Sequence, residues 1–190
     1  LLDALLKEID ESLSWNGTAY TAPTSQTGGL VPTQHVLTAF GVAPENPPYD
    51  ELTARLQGSL RAGGYLTLAV DPRRIDQAAA VLTRSYGLTR IDITAELLAA
   101  AKEYAAQVGA DWSTILDADR QAPGSRDRAL LDAFVKAALD RRFPDLFATA
   151  EPLLLTDASI LGRYGQQHWL TDLADLAGDR PAARWLLAPH

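Results

Sequence analysis

Tyr65-Leu66-Thr67-Leu68-Ala69-Val70-Asp71-Pro72-Arg73-Arg74 reads as a strand that runs into a helix cap. The run from Tyr65 to Val70 is apolar almost without interruption, as in a strand covered on both faces. Asp71 is a good N-cap and Pro72 suits the first helical position. The helix that follows is expected to reach about Tyr86 and stop at Gly87. Upstream, Tyr49 to Arg61 carries Leu52, Leu56 and Leu60 on one helical face, and Ala62-Gly63-Gly64 ends it. Downstream, Thr89 to Ile93 reads as a second strand. Thr94 is placed as the cap of a helix ending at Gly109. Asp111 to Asp119 predicts a further helix with Trp112, Ile115 and Leu116 inward. After the turn Gln121-Ala122-Pro123-Gly124, Ser125 caps a helix to Arg142 with Leu130, Leu131, Phe134, Val135, Ala138 and Leu139 inward. Phe143-Pro144 is expected to break it. Leu153 to Thr156 is the third strand, residues 158 to 177 are helical with interruptions near Gly162 and Gly165, and Trp185-Leu186-Leu187 is the last strand.

Strands alternating with helices imply a parallel sheet with right-handed crossovers. The expected fold is therefore a three-layer α/β domain over residues 49–190, with a mostly parallel sheet of at least four strands. Residues 1–48 read as a smaller unit. Leu2, Leu5, Leu6 and Ile9 have a helical period, and Asn16-Gly17 signals a hairpin between short β-prone pieces. Helix then hairpin predicts a winged-helix-like remnant. Residues 22–32 read as linker, 33–40 as a short helix and 41–48 as irregular. The chain opens on Leu1 in helical character and has no Met, and it reads as a piece of a longer protein.

The 190 residues carry a net charge of −7 with 47% hydrophobic and 22% charged residues, ordinary for a globular domain. That acidity lacks the footprint of general nucleic-acid binding. The absence of cysteine excludes disulfides, zinc–thiolate sites and a Cys nucleophile. His35, His168 and His190 have no ligand spacing, so no metal site is expected. No apolar run approaches the roughly 20 residues that span a bilayer, and no signal peptide is visible. The expected location is the cytoplasm.

The candidate site residues lie where an open α/β sheet binds ligands, at the carboxyl ends of its strands. Asp157 closes Leu153-Leu154-Leu155-Thr156, as the metal-holding acid of a nucleotide hydrolase does. The preferred reading is that it caps the helix beginning at Ala158. The turn after Val70 is where a phosphate loop would lie. GxxxxGK[ST] and Gly-x-Gly are absent from the chain, Asp71 would repel phosphate, and Pro72 lacks an amide donor. Arg73 and Arg74 could still meet an anion there. Arg163 and Tyr164 could contact a ligand or partner, although packing is favoured for Tyr164. Arg126-Asp127-Arg128 and Arg141-Arg142 read as solvated helical faces. Trp112, Trp169 and Trp185 read as core. No catalytic residue is assigned.

Ser59 to Leu68, Ala110-Asp111-Trp112, Pro123 to Asp127, Leu153 to Asp157, Ala158 to Gly165 and Trp185 to Pro189 together give the chain a family resemblance. It resembles the C-terminal region of actinobacterial serine/threonine-kinase-like proteins of phage growth limitation (BREX-type) defence systems, the PglW type. The segment Leu1 to Pro23 also resembles the winged helices that precede that region. The resemblance implies a phage-resistance protein whose kinase domain, with its ATP and Mg²⁺, lies far upstream. This chain lacks the kinase motifs, so the resemblance implies a non-catalytic regulatory or interaction module built like a degenerate P-loop ATPase. No cofactor is expected in it, and other proteins of the defence complex are the implied partners. Two alternatives stand beside that reading. One is a nucleotide-binding or phosphoryl-transfer lobe using Asp157 and the Arg73-Arg74 turn. The other is a module that contacts DNA through the N-terminal hairpin.

Overall fold

The computed structural model describes residues 14–15, 20–21, 47–175, 178 and 180–189. The expectations for residues 1–13 and 22–46 and for the Asn16-Gly17 turn, and with them the winged-helix reading, lie outside the described residues. The hairpin strands are β1 (Ser14–Trp15) and β2 (Tyr20–Thr21), paired antiparallel with Ser14 opposite Thr21. Helix α1 (Pro47–Ala62) begins earlier than the sequence suggested, on Pro47-Pro48. The first turn of a helix has no amide bonds for proline to lose.

The strand β3 (Tyr65–Val70) leads through a 3₁₀ turn (Pro72–Arg74) into α2 (Ile75–Tyr86). Gly87 closes α2 in the left-handed conformation at φ 65°. Next come β4 (Thr89–Asp92), α3 (Ile93–Val108), α4 (Trp112–Asp119) and α5 (Arg126–Phe147). The chain then forms β5 (Leu153–Thr156), α6 (Ser159–Arg163), α7 (His168–Ala174) and β6 (Arg184–Pro189). The strand order is β1-β2-β3-β6-β5-β4. The four strands β3, β6, β5 and β4 are parallel, and β2 lies parallel to β3 with Tyr20 opposite Leu68.

Alternation along the central strands divides the core in two. Leu154, Trp185 and Leu187 face one side with Leu52 and Leu56 of α1 and Ala78, Ala79 and Leu82 of α2. Leu153, Leu155 and Leu186 face the other, under Leu97 of α3, Leu131, Val135 and Leu139 of α5, Leu161 of α6 and Leu173 of α7. This is the expected α/β sandwich of three layers. Trp185 is fully buried, meets Tyr86 edge-on at 5.2 Å, and donates its Nε1–H to Ser59 Oγ at 3.0 Å. Gly64 makes room for that contact: a Cβ there would fall 2.8 Å from Ser59 Oγ.

Several local expectations are corrected. Asp92, not Thr94, caps α3, accepting from the Ala95 amide at 2.9 Å. Pro144 does not break α5, which continues to Phe147. Phe143 is fully buried, and Phe143 and Phe147 both pack against Trp169. The burial of two aromatic rings, each worth a few kcal/mol, outweighs one missing backbone bond. Leu116 and Leu130, expected inward, are 42% and 60% exposed. Trp112 and Trp169 are half-buried, whereas Trp185 is core.

The end of α5 is fastened from a distance. Arg184 opens β6 with no exposed surface and donates to the carbonyls of Phe147, Thr149, Glu151 and Ala183. Among the described residues, it pairs with no carboxylate. Its charge sits against the carbonyl end of a long helix, where the macrodipole favours a cation. Burial pulls its pKa below the usual arginine value.

Candidate functional site

The carboxyl edge of the parallel sheet carries the turn after β3 and the turn after β5. In the first, the Asp71 carboxylate accepts from the Arg73 amide at 2.8 Å, and the Arg74 amide donates to the Asp71 carbonyl at 2.8 Å. Pro72 has no amide to offer. The turn is thus closed on itself, with an acid where a phosphate loop presents donors. Arg73 is exposed, and Arg74 is half-buried and engaged.

Asp157 ends β5 exposed and at φ 55°, the only non-glycine residue with positive φ among those described. Asp tolerates this conformation better than most residues, and such positions concentrate at functional sites. It does not cap a helix as expected. The N-cap of α6 is Ala158, with no side-chain bond. The Asp157 carbonyl accepts from the Thr94 hydroxyl at 2.9 Å, which ties the turn to α3 and leaves the carboxylate facing solvent. Beside this turn, Ala158, Leu161, Leu186, Leu187 and Pro189 line a mostly apolar cavity of about 270 Å³.

Arg163 and Tyr164 belong to a different cluster, built around Asp119 at the end of α4. Its Oδ1 accepts from Arg128 Nη1 at 2.8 Å, from Arg163 Nη2 at 3.0 Å and from the Tyr164 hydroxyl at 3.0 Å. Arg128 extends the network through Asp132 at 3.1 Å and the Arg163 carbonyl at 2.8 Å. Its guanidinium lies 4.8 Å from the centre of the Tyr164 ring, within cation–π range. The cluster joins α4, α5 and α6 and floors a cavity of about 560 Å³ that also takes in Arg120, Pro123 and Gly124. Tyr164 therefore packs, as favoured, and also donates a hydrogen bond. Among the described residues, no hydrogen bond or ion pair joins Asp157 to Arg73, Arg163 or Tyr164.

Asp119 and Arg128 escaped the sequence reading. Arg128, assigned to a solvated face, is 8% exposed. Its helical phase was the available signal, because it shares the inward stripe of Leu131, Val135 and Leu139. Arg142 is half-buried and pairs with Glu96 at 2.6 Å, while Arg141 stays exposed and stacks on Tyr104.

Burial alone would raise the pKa of Asp119. Hydrogen bonds from Arg163 and Tyr164, with the charges of Arg163 and Arg128, outweigh it and hold the carboxyl below its usual value. The Tyr164 hydroxyl is raised, first by burial and then by its bond to Asp119. The stabilisation from Asp119 is thus complete above about pH 4, its unfolded value, and disappears as pH falls through the lowered folded one. That from Tyr164 is complete below about pH 10 and is lost as pH rises through its raised value. In urea unfolding, the gap in midpoint between the native chain and Asp119→Asn should be flat from about pH 5 to 9 and close at lower pH. A gap that persists undiminished at low pH would show that the carboxylate charge is not what matters.

Among the described residues, no group of His, Cys, Asp or Glu could hold a metal ion, and no helix is long and apolar enough to cross a membrane. No protein-family model and no solved structure matches the chain. It is similar to a protein of Streptomyces coelicolor named "Probable kinase PglW", 26% identical over 192 aligned residues. The alignment takes in 96% of this chain but only 12% of that protein, in its C-terminal part.

Proposed function

We propose that this chain is a non-catalytic regulatory or interaction module of a serine/threonine-kinase-like protein of a phage-defence system, a degenerate relative of the P-loop ATPases. Its partners are other proteins of the defence complex, it works in the cytoplasm, and ATP and Mg²⁺ belong to a kinase domain elsewhere in the parent protein. The likeness to part of a probable kinase supports the context. The observation that carries the non-catalytic reading is the turn after β3, where the Asp71 carboxylate occupies an amide and Pro72 offers none. A triphosphate needs several converging backbone donors and a nearby cation. Here it would meet a fixed negative charge.

The competing reading is a nucleotide-binding lobe, and the left-handed Asp157 at the end of β5 favours it. Calorimetry with ATP and Mg²⁺ separates the two. The expected result is no heat of binding with ligand in the micromolar range. Micromolar binding that vanishes in Asp157→Ala would replace the interaction module with a nucleotide site.

A further inference from the structure

Among the described residues, the outer face of α5 is open from Arg126 to Asp140. Arg126, Ala129, Leu130, Ala133 and Asp140 are exposed and Ala137 is half-buried, all on one helical stripe. Leu130, at 60%, is more exposed than any other large apolar residue among those described. Arg126 has no hydrogen bond or ion pair among the described residues. Among the described residues, Asp140 pairs only with Lys136, four residues back on the same helix.

The placement of the charges says what fits this face. Arg126 and Asp140 each lie seven residues from Ala133, so they stand about 10 Å to either side of it along the axis. A two-fold axis beside Ala133 that runs α5 antiparallel to a copy of itself sets Arg126 against the partner's Asp140, and does so twice. The same register lays Leu130 over the aliphatic stem of the partner's Lys136, and Ala129 opposite the partner's Ala137. The alanines allow the axes to approach to about 8 Å. An axis that made the helices parallel would set Arg126 against the partner's Arg126. The stripe is self-complementary in one orientation only, as an isologous contact requires.

We infer that the outer face of α5 is the contact surface of a homodimer, with the two α5 helices antiparallel about Ala133. An interface of one helix pair is small and of modest strength, with a dissociation constant on the order of 10–100 μM.

Sedimentation equilibrium on the 190-residue chain tests this, with circular dichroism to confirm folding, since every changed side chain is exposed. The native chain should move from monomer towards dimer as concentration rises through that range. Leu130→Lys, Arg126→Asp and Asp140→Arg should each weaken association at least about tenfold, or 1.4 kcal/mol. The double exchange Arg126→Asp with Asp140→Arg should restore it to within about threefold of the native value, because the exchanged charges meet again across the axis. A native chain that stays monomeric to well above 100 μM overturns the inference. So does a dimer indifferent to Leu130→Lys, or a double exchange that leaves the chain monomeric.

Discussion

Arg184→Met is expected to lower the unfolding free energy by about 3 kcal/mol, read as a lower urea midpoint with an unchanged slope. Two effects oppose each other. Removing a cation from a dry site relieves a desolvation penalty, which is why buried charges can often be replaced by apolar side chains at little cost. Here, however, the groups opposite the charge are backbone carbonyls that cannot be replaced. Methionine fills much of the volume and leaves Phe147, Thr149 and Glu151 without the donors that Arg184 provides. Each orphaned carbonyl costs about 1–3 kcal/mol, so three of them outweigh the relief. Arg184→Lys should fall between, since an ammonium gathers its three donors on one atom and cannot match the spread of a guanidinium over carbonyls that lie apart. A loss below about 1 kcal/mol in Arg184→Met would mean that water or a shifted α5 terminus satisfies those carbonyls.

Asp119→Ala is the second large effect, about 2–3 kcal/mol. The carboxylate is the shared acceptor of Arg128, Arg163 and Tyr164. Its bond to Arg163 contributes little, because half of that side chain lies in water. The cost comes from Arg128, whose side chain is only 10% exposed and which keeps Asp132 and the carbonyls of Arg163 and of position 119 after the change, but loses its closest carboxylate oxygen. A buried cation left with fewer acceptors is expensive. Hydrogen exchange should place the damage: amides of α4 and α6 should lose protection, while those of α2, across the sheet, should not. Uniform loss through both layers would mean that the cluster does not act as a local fastening. Arg163→Ala is the contrasting control, with a much smaller expected loss than Asp119→Ala because solvent screens its pair.

The parts of the fold that were legible beforehand rest on short-range chemistry. Val70-Asp71-Pro72, Gly87 and Ser125 declare themselves because a cap or a left-handed glycine acts within one turn. The buried strands β5 and β6 were visible as apolar runs. What escaped depends on partners far along the chain. Pro144 looked like a stop because the packing of Phe143 and Phe147 on Trp169 and the grip of Arg184 on the helix end involve residues beyond the turn. Leu130 looked like core because it adjoins Leu131, yet its helical phase sets it opposite the buried Leu139. For the candidate site, Asp157 was found by its place at the end of a strand, while its conformation and the Thr94 tie were not. Arg163 and Tyr164 were found as a pair. Asp119 and Arg128 were missed because charged residues in a helix default to solvent, although the helical phase of Arg128 points inward.

The parallel placement of β2 beside β3 bears on how the hairpin can be studied. Amputating residues 1–21 to ask whether the hairpin touches DNA would also strip the flank of β3, uncovering backbone amides and carbonyls that invite a neighbouring molecule to stack on. A shortened chain that lost a ligand and precipitated would then report a raw sheet margin rather than a missing contact. Point changes on the hairpin's side chains leave that margin sealed.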